Sequence, residues 1–176
     1  MRGGAKPRFL FFWGHTGKGS GPVGKECLSQ WYGAPFRLGG HVFPSAEHYM
    51  MHRKAALFGD DESATKILAA RSPAAAKELG RGVRGFVEST WNEHRLSIVT
   101  AANEAKFGQN PELLAFLAGT KDRVLVEASP KDRIWGIGLT ADDPRAEDPL
   151  SWRGLNLLGF ALMIARSRLA GGAARG

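Results

Sequence analysis

An α+β domain with helices in the majority is the fold class this sequence predicts. Three observations carry that expectation. Helix start and stop signals recur from Ser45 onward, while apolar strand-like runs are few, short and scattered. The chain has 176 residues, 43% hydrophobic and 23% charged, enough apolar surface for one core and little room for a second. No internal repeat or low-complexity block interrupts it.

The elements follow in order. Arg8 to Trp13 reads as a short apolar strand, and residues 14–24, rich in glycine, read as loop. Phe36 to Phe43 alternates around Gly39-Gly40, a two-residue hairpin turn. Ser45 caps a helix from about Ala46 to Phe58, and a short helix follows from Glu62 to Ala70. Ser72 with Pro73 at the first helical position opens another, closed by Gly80. Thr90-Trp91-Asn92-Glu93 has the capping-box pattern and opens a long helix that Gly108 ends. Asn110-Pro111 starts a further helix ended by Gly119. Val124 to Ala128 is β-prone between turn-forming flanks. Ile134 to Leu139, broken by Gly136 and Gly138, is a strand end or a loop that a ligand approaches closely. Leu155 to Leu169 is a closing helix, apolar on most of its circumference and so expected to be central.

The single cysteine, Cys27, excludes an internal disulfide framework and any multi-cysteine zinc site. No apolar run reaches the roughly 20 residues a membrane helix needs, and the charged start is followed by too short an apolar stretch for a signal peptide. The expectation is a soluble, cytoplasmic protein without a membrane partner. The net charge of +7 sits mainly at the ends. Arg2, Lys6, Arg8, Arg166, Arg168 and Arg175 stand there without an acid, which leaves 18 bases against 17 acids between them. Such ends hold a polyanion loosely or simply keep the chain in solution.

Several motifs fail on inspection. Gly19 to Glu26 nearly matches a phosphate-binding loop, but Glu26 stands where the magnesium-binding hydroxyl belongs and would repel a phosphate. Gly136-Ile137-Gly138 lacks the third glycine of a dinucleotide fingerprint. His48 and His52 are four apart, a metal-compatible spacing, yet no third ligand is evident; they read as surface histidines, and no metal is expected. Cys27 reads as buried rather than nucleophilic.

The informative stretch is Ser45 to Ala55. At about 100° per residue, Glu47, Met51, Lys54 and Phe58 share one narrow stripe, flanked by Met50 and Leu57. A carboxylate and an ammonium therefore lie on an apolar helical face, with α-carbons about 10.5 Å apart, a spacing suited to gripping one ligand. Burial without a partner is costly for both, so either each pairs elsewhere in a buried network or both face a pocket. In a pocket, Lys54 becomes a nucleophile by desolvation and Glu47 moves protons. A second cluster runs from Glu127 to Gly138, where Asp132 stands three residues before Trp135 and paired glycines. Aromatic rings stack on a heterocycle, and Trp13-Gly14 and Trp91 offer similar surfaces.

These segments together carry a family resemblance. Phe11-Phe12-Trp13-Gly14-His15, Cys27-Leu28-Ser29-Gln30-Trp31-Tyr32, Glu47 to Ala55, Trp91, Lys106-Phe107, Val126 to Gly138 and Trp152 to Gly159 occur in the order found in the NADAR, or YbiA-like, family. The sequence resembles that family from about Phe9 to Leu169, with the glycine-rich Gly17 to Gly24 insertion as a departure. The expected organisation is a basic tail over residues 1–8, one NADAR domain over 9–169 and a C-terminal tail over 170–176.

The resemblance implies an N-glycosidase that cleaves the C1–N bond between ribose phosphate or ADP-ribose and an amine or base. The substrate would be a riboflavin-pathway intermediate or ADP-ribosylated guanine in DNA or RNA. It implies that Lys54 forms an imine with C1 of the opened sugar, with Glu47 and Asp132 transferring protons and positioning the ribose. Phe12, Trp13, Gly14, Ser29, Trp91, Lys106, Trp135, Gly136 and Gly138 are then the expected substrate-binding positions. No cofactor is implied. Two rival readings are a non-catalytic ADP-ribose or nucleotide-binding module and a nucleic-acid accessory protein acting through its basic ends.

Overall fold

The computed structural model describes residues 6–15 and 21–173. The core of the glycine-rich insertion and the outermost basic residues, Arg2 and Arg175, lie outside them. The described chain forms six helices and four short strands, the helix-rich α+β architecture expected.

The first strand, β1 (Phe9–Phe12), leads through a 3-10 turn at Lys25–Leu28 to a hairpin of β2 (Phe36–Leu38) and β3 (His41–Phe43). Gly39 and Gly40 turn it with φ of 59° and 84°, the two positive values a tight two-residue hairpin needs. Four helices follow: α1 (Ala46–Leu57), α2 (Asp61–Leu68), α3 (Pro73–Arg81) and α4 (Glu88–Gln109). Then come α5 (Pro111–Gly119), β4 (Val124–Glu127) and α6 (Leu157–Ala173).

The two predicted serine caps hold. Ser45 accepts from the His48 amide and Ser72 from the Ala75 amide. Several boundaries differ: α2 spans Asp61–Leu68, α4 runs through Gly108 to Gln109, and α6 begins at Leu157 rather than Leu155. Gly80 lies inside α3, and Gly82 closes that helix. The helix expected to open at Thr90 begins at Glu88 after Val87, without a side-chain cap. Glu88 supplies the favourable acidic charge in the first turn.

The pairing that positions the site joins distant parts of the chain. β1 runs parallel to β4, with Phe9 opposite Val124 and Phe12 opposite Glu127. Both strands end on the same side, where ligands of parallel sheets collect. Behind them, α6 packs on α4 and β4 through Leu158, Ala161, Leu162 and Ala165, a buried i, i+3, i+4, i+7 stripe. The helix is therefore one-faced rather than buried all round, and Phe160 is exposed. In front, α1 packs against α2, α3 and α4. The main core gathers Phe12, Cys27, Leu28, Met50, Met51, Phe107 and Leu158 among others. A second cluster joins the hairpin to α1 and α4 through Phe36, Phe43 and Tyr49.

The described basic ends are tied into this body. Lys6 pairs with Glu147, Arg8 with Asp122 and Arg168 with Glu104, while Arg166 donates to the Thr120 hydroxyl and the Arg123 carbonyl. Among the described residues, no helix is long and apolar enough to cross a membrane.

Candidate active site

The carboxyl ends of β1 and β4 open onto a cavity of about 830 Å³, a volume suited to a nucleotide-sized ligand. Its walls come from several elements. Trp13, Gly14 and His15 follow β1; Ser29, Gln30 and Trp31 follow the 3-10 turn. Glu47, Met50, Met51 and Lys54 come from α1, with Lys77 and Arg81 from α3 and Trp91 from α4. Glu127 ends β4, and Ser129 with Lys131 to Trp135 form the loop beyond it.

The α1 stripe predicted from periodicity thus faces this space. Glu47 is only 3% exposed, and its backbone amide donates to the Gln30 carbonyl at 3.0 Å. Burial pushes its carboxyl up to about 7, against the pull of Lys77, Trp31 and Arg81 and with Asp132 adding to the rise. Lys54 is half-buried and donates from Nζ to the Gly80 carbonyl at 2.8 Å. The Phe86 ring lies 4.5 Å and the Trp91 ring 5.8 Å from that nitrogen. Burial lowers the lysine below its ordinary value, while Glu47 opposes the change. Glu47 and Lys54 form no ion pair with each other among the described residues, so the two groups share the cavity without neutralising one another.

Asp132 also lines the cavity, and it has a second task. Its Oδ1 accepts from the amides of Ile134 and Trp135, both at 2.8 Å, so it folds the turn that presents those side chains. At the rim Trp13 is 62% exposed, an aromatic face open to a ligand. Lys77, Lys131 and Arg133 carry no ion pair among the described residues, whereas Arg81 pairs with Glu78. The rim is therefore cationic and the floor carboxylic.

Of the expected binding residues, Trp13, Gly14, Ser29, Trp91 and Trp135 line the cavity. Phe12, Lys106, Gly136 and Gly138 stand behind it. Phe12 is core. Lys106 has no exposed surface; its ammonium donates to the Cys27 and Ser29 carbonyls at 2.7 and 2.8 Å, a strut beneath the Ser29–Trp31 wall. Gly136 is packed against the Glu127 and Asp132 carbonyls and the Ser129 side chain, so its missing side chain admits protein rather than ligand. Gly138, at φ 67°, packs on Arg133 and Arg153.

The helix histidines are not at the surface. His48 is 1% exposed; its Nε2 meets the Ala70 carbonyl at 3.1 Å and its Nδ1 the Ser45 hydroxyl at 2.7 Å. A carbonyl only accepts, so Nε2 carries the proton and Ser45 donates to Nδ1. His48 is a neutral cross-brace, with burial lowering its pKa. His52 packs at a steep angle against the His41 and Phe43 rings. Cys27 is fully buried, and burial pushes its thiol up to about 12, which makes it inert.

Sequence reasoning gave no site role to Gln30, Trp31, Lys77 or Glu127. Lys77 and Trp31 meet as a cation over a ring, 5.8 Å apart. Glu127 alone had a readable signal, a carboxylate closing an otherwise apolar strand.

Comparison with known proteins gives the family and the fold. The profile of the NADAR domain matches residues 11–170. The chain is 42% identical over 164 residues to N-glycosidase R617 of Acanthamoeba polyphaga mimivirus, covering 90% of this chain and 95% of that one. It is 31% identical over 136 residues to N-glycosidase YbiA of Escherichia coli, covering 77% and 76%. The NMR structure of E. coli YbiA superposes with a TM-score of 0.77 at 25% identity, over 97% of this chain and 90% of that one. A helical α+β body whose parallel strand pair opens onto a lysine- and carboxyl-lined cavity, matched along nearly its whole length, belongs to the NADAR family.

Proposed function

We propose that this N-glycosidase-family enzyme hydrolyses the C1–N bond between a phosphorylated ribosyl group, ribose phosphate or ADP-ribose, and an amine or base. One observation carries the reading: Glu47 and Lys54, two turns apart on α1, face one cavity, unpaired with each other and both shifted by burial toward their neutral forms. A neutral carboxylic acid beside a desolvated amine is the combination acid-assisted imine chemistry requires.

Glu47, protonated near neutral pH, donates to the ring oxygen as the C1–O bond opens, and the nitrogen's electron pair makes a C1=N bond to the departing amine. The Lys54 amine adds to C1. Transfer of a proton to the substrate nitrogen then breaks its bond to C1, leaving C1 as an imine of Lys54. Water adds to that carbon, and loss of the lysine returns the free enzyme and the sugar aldehyde. Gly80 holds Lys54 through a hydrogen bond the neutral amine still makes. The cations Lys77, Lys131 and Arg133 suit the phosphate or diphosphate, and Trp13 and Trp135 suit a heterocycle. Asp132 orders the Trp135 turn and faces the ribose.

Borohydride trapping with substrate tests the covalent step. An adduct on Lys54, abolished in Lys54→Ala together with turnover, is expected; no adduct with undiminished turnover in that variant would refute it. Parallel assays with an ADP-ribosylated guanine oligonucleotide and a ribosylaminopyrimidine phosphate decide the released group. Tight calorimetric binding of ADP-ribose without base release would make the site a binding module instead.

A further inference from the structure

We infer that Glu127 and Gln30 are specificity-determining residues of this site and together bind the ribosyl hydroxyls of its ligand, an assignment that rests on the ribosyl reading above. Their backbones are fixed first. The Glu127 amide donates to Asn156 Oδ1 at 3.0 Å, and its carbonyl accepts from the Ile137 amide at 2.9 Å. Asn156 is itself fully buried, at φ 52°, and its amide nitrogen donates to the Leu125 carbonyl. Glu127 is thereby clamped at the carboxyl end of β4, and its side chain lines the cavity. Gln30 is clamped likewise: its carbonyl receives the Glu47 amide and its Oε1 accepts from Asn103 Nδ2 at 3.0 Å.

What remains of each side chain has no partner. Glu127 Oε2 and Gln30 Nε2 are shielded from solvent and unbonded among the described residues, although Gln30 is only 6% exposed. Unpaired buried polar atoms are rare in folded interiors and ask for a reason. Both atoms belong to residues that line the same cavity, and among the described residues no ion pair occupies Glu127. Burial and the neighbouring Asp132 and Glu47 charges push its carboxyl up to about 8, so near neutral pH it both donates and accepts. Gln30 adds a pure donor. A vicinal diol, each hydroxyl both donor and acceptor, complements that pair; an apolar group in its place would leave both atoms orphaned.

The test is calorimetric, with ribose 5-phosphate and its 2-deoxy and 3-deoxy analogues as probes. The wild type is expected to bind ribose 5-phosphate roughly 10- to 100-fold more tightly than at least one analogue. Glu127→Leu and Gln30→Leu, each confirmed as folded by circular dichroism, are expected to weaken ribose 5-phosphate selectively and so erase that preference. Equal binding of all three probes by the wild type overturns the assignment without any variant. A folded variant that weakens all three equally, or none, overturns it for that residue. Selective binding without base release in the product assay would sink the proposed reaction while the diol contact stands. Failure to bind any probe would sink both.

Discussion

Gly80→Ala sets two well-known effects against each other at a position that touches the candidate nucleophile. Alanine is the better helix former, and inside α3 the change should stabilise by about 0.5–1 kcal/mol on propensity alone. The structure leaves no room for the added methyl: a Cβ on Gly80 collides with the Met51 side chain, which is 7% exposed and enclosed by the main core. Overpacking of this kind costs about 1–3 kcal/mol, so a net loss of about 1–2 kcal/mol is expected. The strain separates α3 from α1, and with it the Gly80 carbonyl that receives Lys54 Nζ and the helix that carries Lys77. Displacements of about 1 Å at a reacting group can lower a rate by about 100-fold, so borohydride trapping at Lys54 should slow more than the stability loss alone explains. Urea unfolding followed by tryptophan fluorescence gives the first quantity, and the trapping rate gives the second. Adding Met51→Ala should recover part of both, because the two sites share one contact. A Gly80→Ala protein as stable as wild type, trapping at the wild-type rate, would refute the packing argument.

Three further outcomes can be checked. Lys106→Met removes the donor from two buried carbonyls and should cost about 2 kcal/mol in a denaturant melt. Because burial lowers native Lys106 to about 7, the unfolded chain binds more protons than the native one between about pH 7 and 10. Wild-type stability should therefore gain, relative to Lys106→Met, as pH rises through that window. Glu47→Gln should lower turnover about 10²- to 10⁴-fold, and wild-type turnover should fall above about pH 7 as the acid form is lost. Trp13→Ala, at an exposed rim position, should change stability by less than about 0.5 kcal/mol yet raise KM several-fold; an unchanged KM would remove Trp13 from the binding surface.

What was legible in the sequence was local. Ser45, Ser72 with Pro73 and Gly39-Gly40 announce their caps and turn because each acts through its own neighbouring backbone. The stripe joining Glu47 to Lys54 was readable because helical periodicity fixes it before any packing occurs. What depends on a distant partner was not. His48 looked like a surface residue because the Ala70 carbonyl that completes its bonding belongs to the segment after another helix. Lys106 looked like a ligand group because nothing near it reveals that Cys27 and Ser29 lie above it. Gln30 becomes informative only when the 3-10 turn and β4 face the same space, whereas Glu127 is marked locally as a carboxylate closing an apolar strand. The same limit applies to Gly80, whose punctuation value was overridden by its contact with Met51.

The parallel pairing of β1 with β4 has a consequence for how the molecule is made. The hairpin and the first three helices are neighbours along the chain and can associate while synthesis continues, but the second strand of the pair emerges only after α4 and α5. Closing so long a loop is entropically slow, so Lys54 should be in place well before Glu127 and Asp132 arrive opposite it. A nascent chain would thus carry its amine without its full acid–base complement, inert toward sugars until the last third is translated. Pulse-labelled hydrogen exchange during refolding should record that order, with α1 amides protected ahead of those of β4.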